Sequence, residues 1–540
     1  MSTRKPVFSK AILDIIYHEA CNDLKDDLND PDSETREYAR WILGRLSLIS
    51  RQAERHFRAV LFHGFTIRRP KAVDLDSLVS LESWIYRQMR LLEQEAGPAR
   101  YIKDLTLSFM GPIDKPKEGD SDCDSSDDDS SEFEFKSKPY PDSNMFRCSV
   151  TLFIDAIPKL LANFKNLTRF HIDNGGPLDK RHCNGYAMYE STSNVTVNAL
   201  FDCIRRNHSL KEVAFTKVVG LPIRHLIQAL PASVKSLQLQ DVSFRPVEVT
   251  DSEEDPTALC SLEAATLILK PKERLPSWLS SPSSSLFRDL TKFTFHFHDE
   301  GDVAKGFGIL SRAATTLQQI TLHYYTCPLS DNALGSFPTL ELPNLCSLSL
   351  KLVSTPVNTS HDLTCPPTLS TFAYDHLSKW TSSSLESLVL DFEWHIGPDS
   401  SVLYEAEDEE DEHGDFPGKF VDRNISRLGP IDDILSNNNT FPKLQTVRFF
   451  LLGKEGGSSG FYSDRASWNE LYGLRKQYID EAKTALCSTM YRVRGAGGTF
   501  KVETGLLEYW EKYESEIEDP FNEPKWWQRK NEDPFDFLLE

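Results

Sequence analysis

The chain has 540 residues, 39% of them hydrophobic and 32 of them phenylalanine, so it carries ample apolar material to bury and is not a disordered chain overall. Its net charge of −21 disfavours nucleic-acid binding, because no basic stripe offsets it. The acidity is local: nine acids and no base lie between Glu118 and Phe135, eight acids and no base between Glu405 and Asp415, and the remainder carries only about −4.

The first ten residues lack an apolar h-region, and no apolar run approaches the ~18 residues of a membrane-spanning helix. Ten cysteines occur without a C-x-x-C pair, as expected for reduced thiols in a cytoplasmic and/or nuclear protein.

In chain order, Ile12, Leu13, Ile16 and Ala20 share one helical face, with Ser9 placed as an N-cap. A second helical pattern runs from about 37 to 57 through Trp41, Leu43, Leu46, Ile49, Ala53 and Phe57. Residues 60–67 read as a short strand or extended exit, and a third helix is predicted near 74–96. A pattern Leu-x-x-Φ-x-Φ, with Φ apolar, is anticipated at Ile102-x-x-Leu105-x-Leu107 and Leu167-x-x-Phe170-x-Ile172. It then begins regularly at Leu210, Val234, Leu262, Leu290, Leu317, Leu345 and Leu369, in steps of 24, 28, 28, 27, 28 and 24 residues. Matches at Leu385 and Leu444 follow, and amphipathic stretches such as 199–206, 224–230 and 303–313 lie between strands.

A fixed period of that size predicts stacked strand-plus-helix units of the leucine-rich-repeat type. The expected fold class is therefore α/β: an N-terminal helical module over 1–70, a linking helix over 71–100, and an irregular solenoid over 101–455. Acidic disordered insertions are expected at 111–143 and 400–420, and a capping region over 456–540.

Residues 8–67 resemble an F-box, the helical module by which substrate receptors dock on the adaptor of cullin–RING ubiquitin ligases. The resemblance rests on Ala11-Ile-Leu-Asp-Ile-Ile16, on Leu46-Ser-Leu-Ile-Ser-Arg51 followed by Ala53-Glu-Arg-His-Phe57, and on Leu61-Phe-x-x-Phe65-x-Ile67. The family's Leu-Pro before the first helix is replaced by Phe8-Ser9, and some fifteen extra residues, 22–36, separate the two halves. With the repeats behind it, the chain resembles fungal F-box/leucine-rich-repeat-like proteins. That resemblance implies adaptor contacts through Ile12, Leu13, Ile16, Leu46, Ile49 and Phe57, and a protein substrate held by the repeats. The alternative is a protein-interaction scaffold without a ligase role.

Strand alternation places the target-binding side chains on the face opposite the apolar one: Arg169, His171, Gln238, Gln240, Lys292, His296, Gln319, His323 and Lys351. Thr371 and Asp375 follow from the match at Leu369. His296 and His298 share a strand face, as metal ligands would, but no second pair lies at ligand spacing, so they read as ordinary strand residues. Gly495-Ala-Gly-Gly498 follows a helix and precedes a probable strand, the reverse of a dinucleotide loop. No nucleophile elbow, P-loop or His-Glu-x-x-His is present, so no enzyme, cofactor or metal is expected. Ser121, Ser125, Ser126, Ser130 and Ser131 sit among carboxylates, the context that acidophilic kinases favour.

Overall fold

The structure is a computed structural model. It describes residues 17–18, 38–39, 42–43, 57–60, 62–68, 83, 86, 89–90, 92, 98–108, 155–173, 194–244, 260–269, 275–280, 285–297, 300–325, 339–354, 369–396, 428–437, 439–455, 480–495 and 499–507.

The Leu-x-x-Φ-x-Φ segments become strands through one repeated local arrangement. Their first leucines, Leu210, Leu262, Leu290, Leu317, Leu345 and Leu385, are fully buried just ahead of each strand. The carbonyl of the next residue then accepts two successive N–H groups from the following segment. Lys211 O takes Lys235 N and Ser236 N, Lys235 O takes Glu263 N and Ala264 N, and Glu263 O takes Thr291 N and Lys292 N. Thr291 O, Gln318 O and Cys346 O repeat this toward residues 318–319, 346–347 and 386–387. Each shared carbonyl pairs two successive donors and sets the register before the ladder begins.

The strands are β1 Gly64–Arg68, β2 Asp104–Ser108, β3 Arg169–Asp173, β4 Glu212–Thr216, β5 Ser236–Val242, β6 Ala264–Leu269, β7 Lys292–Phe297 and β8 Gln319–Tyr325. They continue as β9 Leu340–Glu341, β10 Ser347–Ser354, β11 Trp380–Thr381, β12 Ser387–Ile396, β13 Thr446–Glu455 and β14 Thr499–Leu507. Twelve of them form one parallel sheet in the order β1-β2-β3-β4-β5-β6-β7-β8-β10-β12-β13-β14, and β9 pairs with β11 separately.

This corrects the expected fold class. Among the described residues the fold is not a separate N-terminal module followed by a leucine-rich-repeat solenoid; the strands, β1 included, join one continuous parallel α/β sheet. β1, from within 1–70, and β14, from the expected capping region, are its two outermost strands. The connections are also unlike one another. Helices α1 Asn194–Arg206, α2 Ile223–Ala229 and α3 Glu300–Ala313 precede β4, β5 and β8, whereas a 3-10 turn, Ser277–Ser280, lies between β6 and β7. A period of 24–28 residues measures the chain between neighbouring parallel strands, and any crossover connection needs a dozen or more residues. The spacing was therefore no proof of a solenoid.

The match at Leu369 is a second correction. Leu369–Lys379 is a helix, α4, and Leu385 leads into the next strand of the sheet, β12. Ala373, His376 and Leu377 are its buried positions, spaced for a helix rather than for a strand. Thr371 and Asp375 consequently belong to no strand face.

Two compact units are present. Unit 1 comprises Met1–Leu350, Asp375–Leu388 and Asn437–Leu444; unit 2 comprises Lys351–Tyr374, Val389–Ser436 and Gln445–Glu540. In unit 1, α1 buries Val197, Leu200, Phe201 and Ile204 at helical spacing, and Arg205 and Arg206 complement its C-terminal dipole. Phe293, Phe295 and Phe297 of β7 follow one another on the apolar side of the sheet, where Phe297 stacks on Phe307 of α3. In unit 2, Phe392, Phe449 and Phe500 succeed one another across β12, β13 and β14 with ring centroids 6.3 and 5.8 Å apart. Helix α5 is Gly429–Ser436, residues 480–489 are helical, and α6 is Tyr491–Gly495.

Gly306 is what lets α3 approach this closely. A Cβ there would stand 2.7 Å from Phe297 Cε1 and 3.1 Å from Phe295 Cε1. The Phe297 ring has little room to yield, since it stacks on Tyr324 at 4.3 Å and meets Phe295 edge-on at 4.6 Å. Gly306→Ala gains about 1 kcal/mol of helix propensity, yet it is expected to destabilise the chain by about 1–3 kcal/mol through overpacking. A thermal melt that moves upward instead would reject this account of the contact.

Candidate functional site

In unit 1 the face of the sheet opposite the phenylalanines carries three rows of side chains in register. The first runs Asp104, Arg169, Glu212, Ser236, Ala264, Lys292, Gln319. The second runs Thr106, His171, Ala214, Gln238, Thr266, Thr294, Thr321. The third begins Ser108, Asp173, Thr216, Gln240, Ile268. Neighbouring threonines and amides within a row are the cross-strand contacts that favour such a surface.

Charges on these rows are arranged in pairs. Arg169 donates from Nε to Glu212 Oε2 at 3.0 Å and from Nη2 to Oε1 at 3.2 Å, and its Nη1 lies 3.7 Å from Asp104 Oδ2. Exposed pairs of this kind contribute about 0–1 kcal/mol, so their main effect is to orient the side chains. His171 Nε2 is 2.9 Å from Thr216 Oγ1, and Gln238 Nε2 donates to Gln240 Oε1 at 3.2 Å. Between His171 and Gln238 stands Ala214, a small side chain that is 5% exposed.

Burial lowers the His171 pKa below the ordinary 6.5; the Asp173 carboxylate opposes this, Arg169 lowers it further and Glu212 raises it. The folded chain therefore holds this proton less tightly than the unfolded chain. The stability that follows is fully present above about pH 6.5 and is lost as pH falls through the folded value. The urea midpoint is expected to drop between pH 7.5 and pH 5.5, and His171→Gln to remove part of that drop. An identical pH dependence in the variant would show that this ring plays no part.

The face closes toward β7. His296 is 5% exposed, Thr321 and Ser349 are buried, and His323 is half-buried. Of the residues expected to contact a target, Arg169, His171, Gln238, Gln240, Lys292 and Gln319 are exposed or half-buried, whereas His296 is not accessible. In unit 2, Lys351 Nζ lies 3.4 Å from the buried Asp391 Oδ2, so its charge is already engaged. Asp104 and Thr106 were missed, although the alternation around Leu105 and Leu107 would have placed them.

Of the adaptor-binding set, Ile12, Leu13, Ile16, Leu46 and Ile49 lie outside the described residues, as do Ser121, Ser125, Ser126, Ser130, Ser131 and His298. Phe57 is 1% exposed and meets Tyr17 edge-on at 5.4 Å, so it packs inside the chain. Among the described residues, no three His, Cys, Asp or Glu side chains are grouped to hold a metal ion, and no helix is long and apolar enough to cross a membrane. Cys203, Cys260, Cys346 and Cys487 are free thiols, and burial pushes Cys203 and Cys260 up to about 11. They are poor nucleophiles as a result.

No protein-family model matches the chain, and no curated protein matches it.

Proposed function

We propose that this chain is a non-enzymatic, cytoplasmic or nuclear substrate-recognition subunit of an F-box-type cullin–RING ubiquitin ligase. Its protein target is bound on the accessible rows of β2–β6, and residues 8–57 dock the adaptor through Ile12, Leu13, Ile16, Leu46 and Ile49. One observation carries the recognition half. Parallel sheets are as a rule covered on both faces, yet here the second face is half-exposed across β3, β5 and β6, and polar on β3 and β5. Hydrogen-bonding groups held in register by their neighbours suit recognition of a folded protein or peptide. The ligase half is supported by the F-box resemblance.

Co-purification of the full chain with the adaptor tests the ligase half. Ile12→Asp combined with Leu13→Asp is expected to abolish the association, while Arg169→Glu combined with Gln238→Ala leaves the adaptor bound and removes the target. Point variants are the right tool, since deleting residues 1–70 would also remove β1 from the sheet. If adaptor capture is absent, or is unchanged by the Ile12/Leu13 variant, the ligase half fails. A target lost on the Arg169/Gln238 variant would then leave a protein-interaction scaffold.

A further inference from the structure

The leading ends of β2–β5 carry a cationic strip, in a chain whose net charge is −21. Lys103 O accepts Thr168 N and Arg169 N, and Thr168 O accepts Lys211 N and Glu212 N, so the ladder of shared carbonyls begins at Lys103. It lines up Lys103, Thr168, Lys211, Lys235 and Glu263 along one rim of unit 1, each one residue ahead of the first row. Lys211, Lys235 and Glu263 are exposed, and Lys103 and Thr168 are half-buried. Lys235 Nζ lies 3.2 Å from Glu263 Oε1, whereas Lys103 and Lys211 form no ion pair among the described residues. The first-row acids beside them are engaged: Arg169 donates twice to Glu212 and approaches Asp104. Every carboxylate of the strip thus faces a cation, and Lys103 and Lys211 are left unbalanced.

We propose that this strip binds an extended, Asp- and Glu-rich segment of the protein target, laid across the strand ends with its carboxylates over Lys103, Lys211 and Lys235. The inference rests on the reading of this sheet as a target-recognition surface. Neighbouring strands stand about 4.8 Å apart, so the rim positions of β2 and β5 are about 14 Å apart. An extended segment advances about 3.3 Å per residue and covers that distance in about four to five residues, which brings acids at alternate positions within reach of all three lysines. Like charges on neighbouring strands destabilise a sheet, and a carboxylate seated between Lys211 and Lys235 relieves that repulsion. The Lys235–Glu263 pair is exposed and weak, so Lys235 is able to exchange partners. The acidity of the rest of the chain repels such a segment, and attraction is concentrated at the strip. Carboxylates fit better than the phosphates of a nucleic acid, because phosphate recognition favours an arginine fork and that of Arg169 is closed on Glu212.

Fluorescence anisotropy with the full chain and a labelled peptide of alternating Glu and Ser tests this. Lys211→Glu with Lys235→Glu is expected to weaken binding at least about tenfold. Lys159→Glu with Lys483→Glu makes the same change in net charge at exposed lysines of helical segments outside the strip, and is expected to leave the affinity within about threefold. A matching peptide of alternating Gln and Ser is expected not to bind. Equal losses in the two double variants overturn the proposal, by reducing it to net charge. Tighter binding of a single-stranded oligonucleotide than of the Glu peptide overturns it as well. So does Glu-peptide binding that appears only once the nine acids of 118–135 are replaced by their amides, which assigns the strip to the chain's own segment. A target kept by the Lys211/Lys235 variant but lost from the Arg169/Gln238 variant overturns this inference and leaves the recognition reading standing; a target kept by both overturns the two together. Should the charge reversal not fold, Lys211→Gln with Lys235→Gln decides: a loss of about threefold is expected, and an unchanged affinity overturns the proposal.

Discussion

Replacing Asn207 with alanine is expected to lower the stability of unit 1 by about 3–5 kcal/mol. Asn207 is 0% exposed and lies in the turn between α1 and β4. Its Oδ1 accepts Leu167 N at 2.9 Å, and its Nδ2 donates to Cys203 O at 2.7 Å and to Phe164 O at 3.2 Å. One side chain thus ties the turn ahead of β3 to the turn ahead of β4. Truncation leaves a buried N–H and two carbonyls without their partner, and each orphaned group costs about 1–3 kcal/mol. Asn207→Leu keeps the volume and is expected to lose nearly as much, which separates hydrogen bonding from cavity formation. Asn207→Asp keeps the acceptor but turns a carboxylate toward two carbonyl oxygens, so it too is expected to fail. Urea midpoints at an unchanged m-value provide the measurement. A loss below about 1 kcal/mol in the alanine variant would mean the turns are held by their backbone bonds.

Asp432→Ala is expected to cost unit 2 about 2–4 kcal/mol. Asp432 is 1% exposed on α5, and its Oδ2 and Oδ1 accept Arg492 N at 3.0 Å and Val493 N at 2.9 Å. These N–H groups belong to the first turn of α6, where a helix has no internal partner for them. A carboxylate from a distant helix therefore acts as the cap, and its charge complements the N-terminal dipole. Asp433 beside it pairs with the Arg492 guanidinium. Asp432→Asn retains an acceptor oxygen and is expected to recover roughly half of the loss. Amide exchange at 491–495 should quicken in the alanine variant before any change in β3–β6. Unchanged exchange there would assign the burial of Asp432 to something other than capping.

Several local elements were legible in the chain. The windows 199–206, 224–230 and 303–313 fall within or on α1, α2 and α3, because their apolar residues repeat at helical spacing. Strand faces were legible too: Arg169 and His171 alternate with the buried Phe170 and Ile172, as a period of two requires. Leu369 shows where this fails. Its apolar spacing satisfies a strand pattern and a helix pattern alike, and burial of His376 against Tyr324, Phe307 and Trp380 decided for the helix. The ties that Asn207 makes to Leu167 N and Asp432 to Arg492 N carried no signal, since these groups lie 40 and 60 residues away.

The sequence by itself determined which residues alternate, where charge concentrates, and that strands recur at a near-constant interval. Such information is local, written in the spacing of apolar side chains along a few turns or strands. Only the tertiary structure decided that these strands join one parallel sheet instead of a solenoid, and that β1 and β14 belong to it. It alone decided that this face is open over β3, β5 and β6 and closed at His296. The reason is physical: register, burial and hydrogen-bond satisfaction depend on groups brought together from far along the chain, and a repeat interval carries no record of them.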